Sequence, residues 1–193
     1  MKDTINTCIS NSMKLNELLL NDGNIHSTII NIVDLIVNSY KKSNKVLLCG
    51  NGGSAADAQH IAAELSGRFY KDRGPLYAEA LHVNSSFVTA VANDYGFDYV
   101  YSRMLEACGK KEDIFFAIST SGNSKNIVNA LIKANEIGIV TIGLTGNNKG
   151  KMNDYCDFLI EIPSVDTPRI QESHILIGHI ICQLVEEKMF PDE

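Results

Sequence analysis

Tryptophan is absent from this chain, and proline occurs only four times in 193 residues. With so little proline and no Pro/Gly-rich stretch, linker, collagen-like and low-complexity architectures are excluded. The five cysteines (Cys8, Cys49, Cys108, Cys156, Cys182) are odd in number and contain no C-x-x-C pair. Scattered thiols of this kind fit a reducing compartment, not a disulfide framework. No apolar stretch approaches the ~18 residues that span a bilayer. The N-terminus MKDTINTCISNSMKLNELLL lacks the charged start and apolar run of a signal peptide. Basic clusters are missing too: 17 Lys and Arg stand against 23 Asp and Glu, a formal charge of −6. That balance argues against nucleic acid, whose binding needs cations on phosphates, and against an anionic membrane surface. The expectation is a cytoplasmic chain with neither nucleic acid nor membrane among its partners.

What is present fits one domain. At 45% hydrophobic and 21% charged the composition is globular, and no internal repeat divides it. Residues 4–42 read as two helices: Leu15, Leu18, Leu19 and then Ile29, Ile30, Ile32, Val33, Ile36, Val37 recur at helical spacing around the break Asn21-Asp22-Gly23-Asn24. The rhythm then changes to short apolar runs: Val46 to Cys49, Ala78 to Val83, Ile114 to Ile118, Ile139 to Leu144 and Phe158 to Ile162. Runs apolar on both faces, separated by helical stretches, are strands of a buried parallel sheet. A last helix starts at Thr167-Pro168, with Thr as cap and Pro in the first turn, and runs toward Met189. The predicted fold is α/β, a doubly wound, mainly parallel five-stranded sheet flanked by helices. Residues 1–193 form a single domain, with 1–43 an N-terminal helical hairpin and 44–193 the α/β core.

In such sheets ligands bind beyond the carboxyl ends of the strands. The first run exits into Gly50-Asn51-Gly52-Gly53-Ser54, where the backbone can approach a ligand and a helix start offers free N–H groups. The spacing Gly50-x-Gly52-x-x-Ala55 satisfies a loose dinucleotide fingerprint. That reading fails for want of an acid ending the second strand, since Glu79 lies inside it. The third run exits into Ser119-Thr120-Ser121-Gly122-Asn123-Ser124. One serine there would read as a capped turn. Four hydroxyls and a glycine at a helix start instead suit a dianionic phosphate, each charged hydrogen bond being worth roughly 1.5–3 kcal/mol. No lysine closes the loop as in a Walker sequence, so triphosphate hydrolysis is excluded.

His60 and Glu64, four residues apart on the helix after the glycine loop, share one face. At any other place they would read as a surface pair. Gln171 and His179, eight apart on the last helix, are roughly 80° apart around its axis. His179 has apolar neighbours and reads equally as a core histidine. Asn93-Asp94 reads as a turn or as a pair of hydrogen-bonding groups for sugar hydroxyls. Two compatible chemistries follow. A carboxylate and an imidazole beside a bound sugar phosphate suit proton transfer next to a carbonyl. His60, Glu64, Gln171 and His179 also make a plausible Zn²⁺ set, two nitrogens and two oxygens, that would polarise that carbonyl.

The stretches CGNGGSAADAQHIAAELSGRF (49–69), AVANDYGF (90–97), AISTSGNS (117–124), LTGNNKGKM (144–152) and RIQESHILIGH (169–179) together resemble the phosphoheptose isomerases of the sugar-isomerase (SIS) domain superfamily. The likeness covers essentially the whole chain. It implies conversion of sedoheptulose 7-phosphate to D-glycero-D-manno-heptose 7-phosphate, which feeds bacterial heptose nucleotides for lipopolysaccharide or capsule. It also implies a homotetramer with shared active sites and one Zn²⁺ per subunit on His60, Glu64, Gln171 and His179. By the same resemblance Glu64 is the base that forms a cis-enediol, and His179 assists as acid and in ring opening. Asn51, Gly52, Gly53, Ser54, Glu64, Asn93, Asp94, Ser119, Thr120, Ser121, Ser124 and Gln171 would contact substrate. One departure is Pro168 directly before Arg169, where family members place an Asp; Asp166 lies two residues earlier.

Two other readings remain open on sequence. Some relatives keep the phosphate loop but act without catalysis by binding the replication initiator, and they lack the acid–base pair. Other SIS isomerases act on different sugar phosphates, which a phosphate loop cannot distinguish.

Overall fold

The computed structural model describes residues 1–148 and 150–191. Lys149, within the LTGNNKGKM stretch, and Asp192 and Glu193, at the end of the 44–193 core, lie outside the described residues. Five apolar runs become strands: β1 (Val46–Gly50), β2 (Ala78–Ala80), β3 (Ile114–Ser119), β4 (Val140–Gly146) and β5 (Phe158–Ile162). They form one sheet in the order β2-β1-β3-β4-β5, and all four pairings are parallel. The register sets Gly50 beside Ile118 and Ser119 beside Thr145, so β1, β3 and β4 end nearly level. β2 is shorter than expected. Its sequence run continues to Val83, but the chain turns after Ala80 with Leu81 still buried. Apolarity reports burial, and here burial outlasts strand pairing.

Side chains alternate between the two faces. Val46, Leu48, Ile114, Phe116 and Ile118 pack under α1 (Lys2–Leu20), α2 (Gly23–Lys41), α3 (Gly53–Ser66) and α7 (Thr167–Met189). Leu47, Cys49, Phe115 and Ala117 pack under α4 (Ser85–Tyr95), α5 (Val100–Cys108) and α6 (Lys125–Ile137). This is the doubly wound arrangement. Each of these large buried side chains contributes roughly 1.5–3 kcal/mol by leaving water.

Local chemistry sets the helix boundaries. Asp22 starts α2 by accepting from the N–H groups of Asn24 (2.9 Å) and Ile25 (3.0 Å). Asn84 caps α4 through the N–H of Phe87, and this carries Asn93-Asp94 into the last helical turn instead of an open turn. α6 stops at Gly138, whose left-handed backbone (φ 82°) closes the helix end. For α7 the cap position is Asp166, not Thr167 as expected. Thr167 is the first helical residue, and Pro168 follows in the first turn, where its missing N–H costs nothing. At the amino edge of the sheet the buried Asp113 accepts from Lys45 Nζ (2.6 Å) and from the N–H groups of Lys45 and Lys110.

His174, inside α7, is fully buried, and neither ring nitrogen has a hydrogen-bond partner among the described residues. Burial pushes its pKa down to about 4, while the Thr145 carbonyl, outside hydrogen-bond geometry, pulls weakly the other way. In the unfolded chain the ring titrates near 6.5 and takes its proton first. Its share of stability is therefore intact above about pH 6.5 and is lost as pH falls to about 4, by up to roughly 3 kcal/mol. Denaturation midpoints measured from pH 7.5 to 4 should fall across that window, and His174→Leu should flatten the fall. Identical pH profiles for the two proteins would refute a neutral buried imidazole.

Candidate active site

β1 has β2 on one side and β3 on the other, so the chain leaves β1 toward β2 and leaves the adjacent β3 the opposite way, toward β4. Such a switch point opens a crevice between the two following loops. The glycine loop and the serine loop are those loops. They are tied by reciprocal amide hydrogen bonds, Asn51 Nδ2 to Asn126 Oδ1 and Asn126 Nδ2 to Asn51 Oδ1, both 2.9 Å. Asn126 Oδ1 also accepts from the N–H of Ile127. Asn51 is thus partly committed to holding the loops together. Gly52 (φ 57°, ψ −121°) occupies the N-cap of α3, and its carbonyl accepts from the N–H groups of Ala55 (3.1 Å) and Ala56 (3.2 Å). Ser54 is buried, and its N–H is spent on the Asn51 carbonyl.

In the serine loop, Ser119 Oγ lies 3.2 Å from Ser124 Oγ and 3.5 Å from Ser121 Oγ. Ser124 occupies the N-cap of α6 but makes no capping hydrogen bond with its side chain. Its hydroxyl is turned to the other serines of the loop instead, 3.2 Å from Ser119 Oγ. Gly122 makes the turn possible: its φ is 63°, and a Cβ there would come within 2.9 Å of Thr145 Oγ1 and 3.0 Å of the Gly150 backbone. Thr145 Oγ1 is itself buried without a partner among the described residues. The Thr120 carbonyl is occupied, accepting from the Gly146 N–H and Asn148 Nδ2. The side-chain hydroxyls, helix start and absence of a nearby carboxylate in these contacts suit an anion.

The residues expected to carry acid–base chemistry meet on α3 and α7. His60 Nε2 is 3.1 Å from Glu64 Oε1 and 3.2 Å from His179 Nε2, and the three ligand atoms lie within 4.8 Å of one another. Gly178 allows the approach, since a Cβ there would strike Ile61 Cδ1 at 2.6 Å, beside His60. Phe69 covers the far side of His179, with ring centroids 5.7 Å apart. One imidazole nitrogen facing both a carboxylate and a second imidazole cannot satisfy both with a single proton. A cation among them can. Tetrahedral Zn²⁺ with bonds of 2.0–2.2 Å spaces its ligand atoms about 3.3–3.6 Å apart, close to the distances here, and two histidines with a carboxylate are a recurrent zinc set. The donors fit the ion.

Gln171 stands at the other end of the same seam. Its amide lies against Gly53, where a Cβ would come within 2.4 Å of Nε2. α7 therefore touches the glycine loop through Gln171 and the body of α3 through His179. Asn93 and Asp94 are exposed on α4 and hydrogen-bonded to each other (2.8 Å) instead of to either loop. The cleft over His60 and Glu64 is open, and its walls are Ala56, Gln59 and Ala63 of α3, without Ser121. Sequence reasoning missed Asn126, Phe69 and Asp57. Asp57 lies one turn before His60 on its face; burial raises its pKa and the neighbouring His60 works against that. The spacing 57, 60, 64 was the signal for it.

The SIS domain family matches residues 13–146. A phosphoheptose isomerase of Clostridium acetobutylicum is 50% identical over 193 residues, which is 100% of this chain and 98% of that protein. Phosphoheptose isomerase 2 of Campylobacter jejuni is 50% identical over 94% of this chain and 90% of its own length. Among solved structures, the phosphoheptose isomerase of Neisseria gonorrhoeae superposes with a TM-score of 0.90 at 36% identity, covering 96% of this chain and 98% of its own. That of Francisella tularensis gives 0.92 at 33% identity, covering 96% and 97%. With a matched SIS domain and half its residues identical to full-length relatives, the chain belongs to the phosphoheptose isomerase family.

Proposed function

We propose that the chain interconverts sedoheptulose 7-phosphate and D-glycero-D-manno-heptose 7-phosphate in bacterial heptose biosynthesis. The observation that carries the reading is the meeting of Glu64 with two imidazoles, one from each of two helices, on the helix that opens at the phosphate crevice. In this reading Ser119, Thr120, Ser121 and Ser124 hold the phosphate, with Gly52, Gly53 and Ser54 lining the glycine loop. Asn51, Asn93, Asp94 and Gln171 bind the sugar. Glu64 takes the proton from C1 of the ketose and returns it to C2. Meanwhile the O1 hydroxyl proton leaves and O2 gains one, with His179 as the acid–base partner; the same imidazole serves ring opening. Zn²⁺ on the converging His60, Glu64 and His179, with Gln171 the fourth ligand that the family likeness implies, would supply polarisation of the sugar oxygens. Identity near 50% with phosphoheptose isomerases along the whole chain favours this reading over a non-catalytic initiator-binding relative or a different sugar phosphate.

Removing one acid–base group costs ~10²–10⁴ in rate. Glu64→Gln should lower kcat for sedoheptulose 7-phosphate by at least the smaller factor and leave the circular dichroism spectrum intact. Normal turnover by that variant would eliminate Glu64 as the base. For the metal, elemental analysis of protein purified without chelator should find one zinc per subunit. Chelation should abolish turnover, and added Zn²⁺ should restore it; full activity without metal would end that role.

The open cleft and an apolar stripe support a homotetramer with shared sites. Ile5, Ile9, Met13 and Leu20 of α1 are 57–72% exposed, a helical-spaced apolar face turned to solvent among the described residues. A second copy covering this stripe and walling the cleft would exclude water from the chemistry. The five thiols, all free, fit the cytoplasm. Light scattering should give four subunits for the native chain, and Ile5→Asp with Ile9→Asp should yield smaller species with reduced turnover. A native monomer with full activity would refute shared sites.

A further inference from the structure

Behind the cluster, α3 and α7 are joined a second time. Arg73 Nε lies 3.0 Å from Glu186 Oε2, and the two side chains are only 3% and 2% exposed. The guanidinium also donates through Nη1 to the carbonyls of Leu65 (2.7 Å), Gly67 and Gly74 (both 3.0 Å), and through Nη2 to the carbonyl of Glu64 (2.9 Å). The carboxylate accepts from the N–H groups of Phe69 (3.0 Å), Tyr70 and Lys71 (both 2.8 Å). Residues 67–74 are thus clamped by their carbonyls to the cation and by their amides to the anion.

A buried pair is weak evidence for stability, because desolvation offsets its attraction. The placement of this one is more informative. Its cation holds the backbone of Glu64, at the end of α3. Its anion follows His179 by seven residues, two turns along the same face of α7. The loop between them delivers Phe69 to the His179 ring. We propose that Arg73 and Glu186 are positioning residues that fix the spacing of α3 and α7 at which His60, Glu64 and His179 converge. The inference rests on the reading of that cluster as a catalytic zinc site.

Glu186→Gln keeps the side chain's shape and one acceptor oxygen while removing the charge opposite Arg73. Zn²⁺ affinity, read by competition with a chromogenic chelator, should fall about 10–100-fold, the range typical for partners lying behind metal ligands. kcat should fall with it, and KM should hold because the serine loop is untouched. Asp34→Asn breaks the exposed pair between Asp34 of α2 and Lys188 of α7 and should leave affinity and kcat unchanged. A Glu186→Gln protein that loses only thermal stability, with native Zn²⁺ affinity and kcat below its Tm, overturns the proposal. If that variant does not fold, Phe69→Leu decides, since it leaves the pair intact: weakened Zn²⁺ binding supports positioning through the loop, and native binding refutes it. Chelator competition reads the cluster without any sugar, so inactive wild-type protein that binds zinc would reject the isomerase reading alone. Active wild-type protein without zinc would reject the metal alone, leaving kcat of the same variants as the test.

Discussion

Every strand of this sheet runs the same way, so every turn that follows a strand emerges at one edge. That constraint divides the polar chemistry of the molecule. At the amino edge the buried Asp113 is fully engaged, by Lys45 Nζ and two backbone N–H groups. At the carboxyl edge the Ser124 hydroxyl stands at a helix cap without capping, 3.2 Å from Ser119 Oγ, and Thr145 Oγ1 is buried without a partner among the described residues. A buried polar group left unpaired destabilises a fold, so an edge that holds one beside a cluster of serine hydroxyls is arranged for an occupant. The reversal of direction between β1 and β3 then makes that edge a crevice, and the Asn51–Asn126 amide pair sets its width.

The second constraint is the distance between α3 and α7. Gly178 removes a Cβ where Ile61 would collide, and the helices close until two imidazoles and a carboxylate share one small space. Without a cation, that convergence leaves His60 facing two partners with one proton. Convergence at this cost requires rigid backing, which a loop of eight residues lacks on its own. The Arg73–Glu186 pair supplies it by spending its hydrogen bonds on loop backbone.

Much of this was legible in the sequence, and the gaps have physical causes. β1, β3, β4 and β5 were readable because parallel strands are apolar on both faces. β2 was overextended because Leu81 is buried without belonging to the strand. The His60–Glu64 pair was visible because helical neighbours four apart must share a face. Convergence with His179, 119 residues away in sequence, was knowable only from the family likeness. Asn93-Asp94 looked like a turn because the cap that extends α4 over them, Asn84, lies nine residues earlier. Arg73 and Glu186 gave no local sign. Each is an ordinary charged residue until the fold buries them together, although Glu186 among the apolar Ile181, Cys182 and Val185 of α7 was a charge in an improbable place.

The openness of the site also has a consequence for catalysis. His60 has 48% of its side chain exposed, and the cleft over it has walls from one helix only. Proton transfer next to a carbonyl is favoured where water is excluded, since low dielectric strengthens the interactions that stabilise an enediolate. A single subunit provides the donors, the anion loop and their spacing, but not the exclusion. On the proposed reading, the apolar face of α1 and the half-built cleft are two parts of one requirement: assembly brings in the missing wall, so the oligomer and not the fold alone is the catalytic unit.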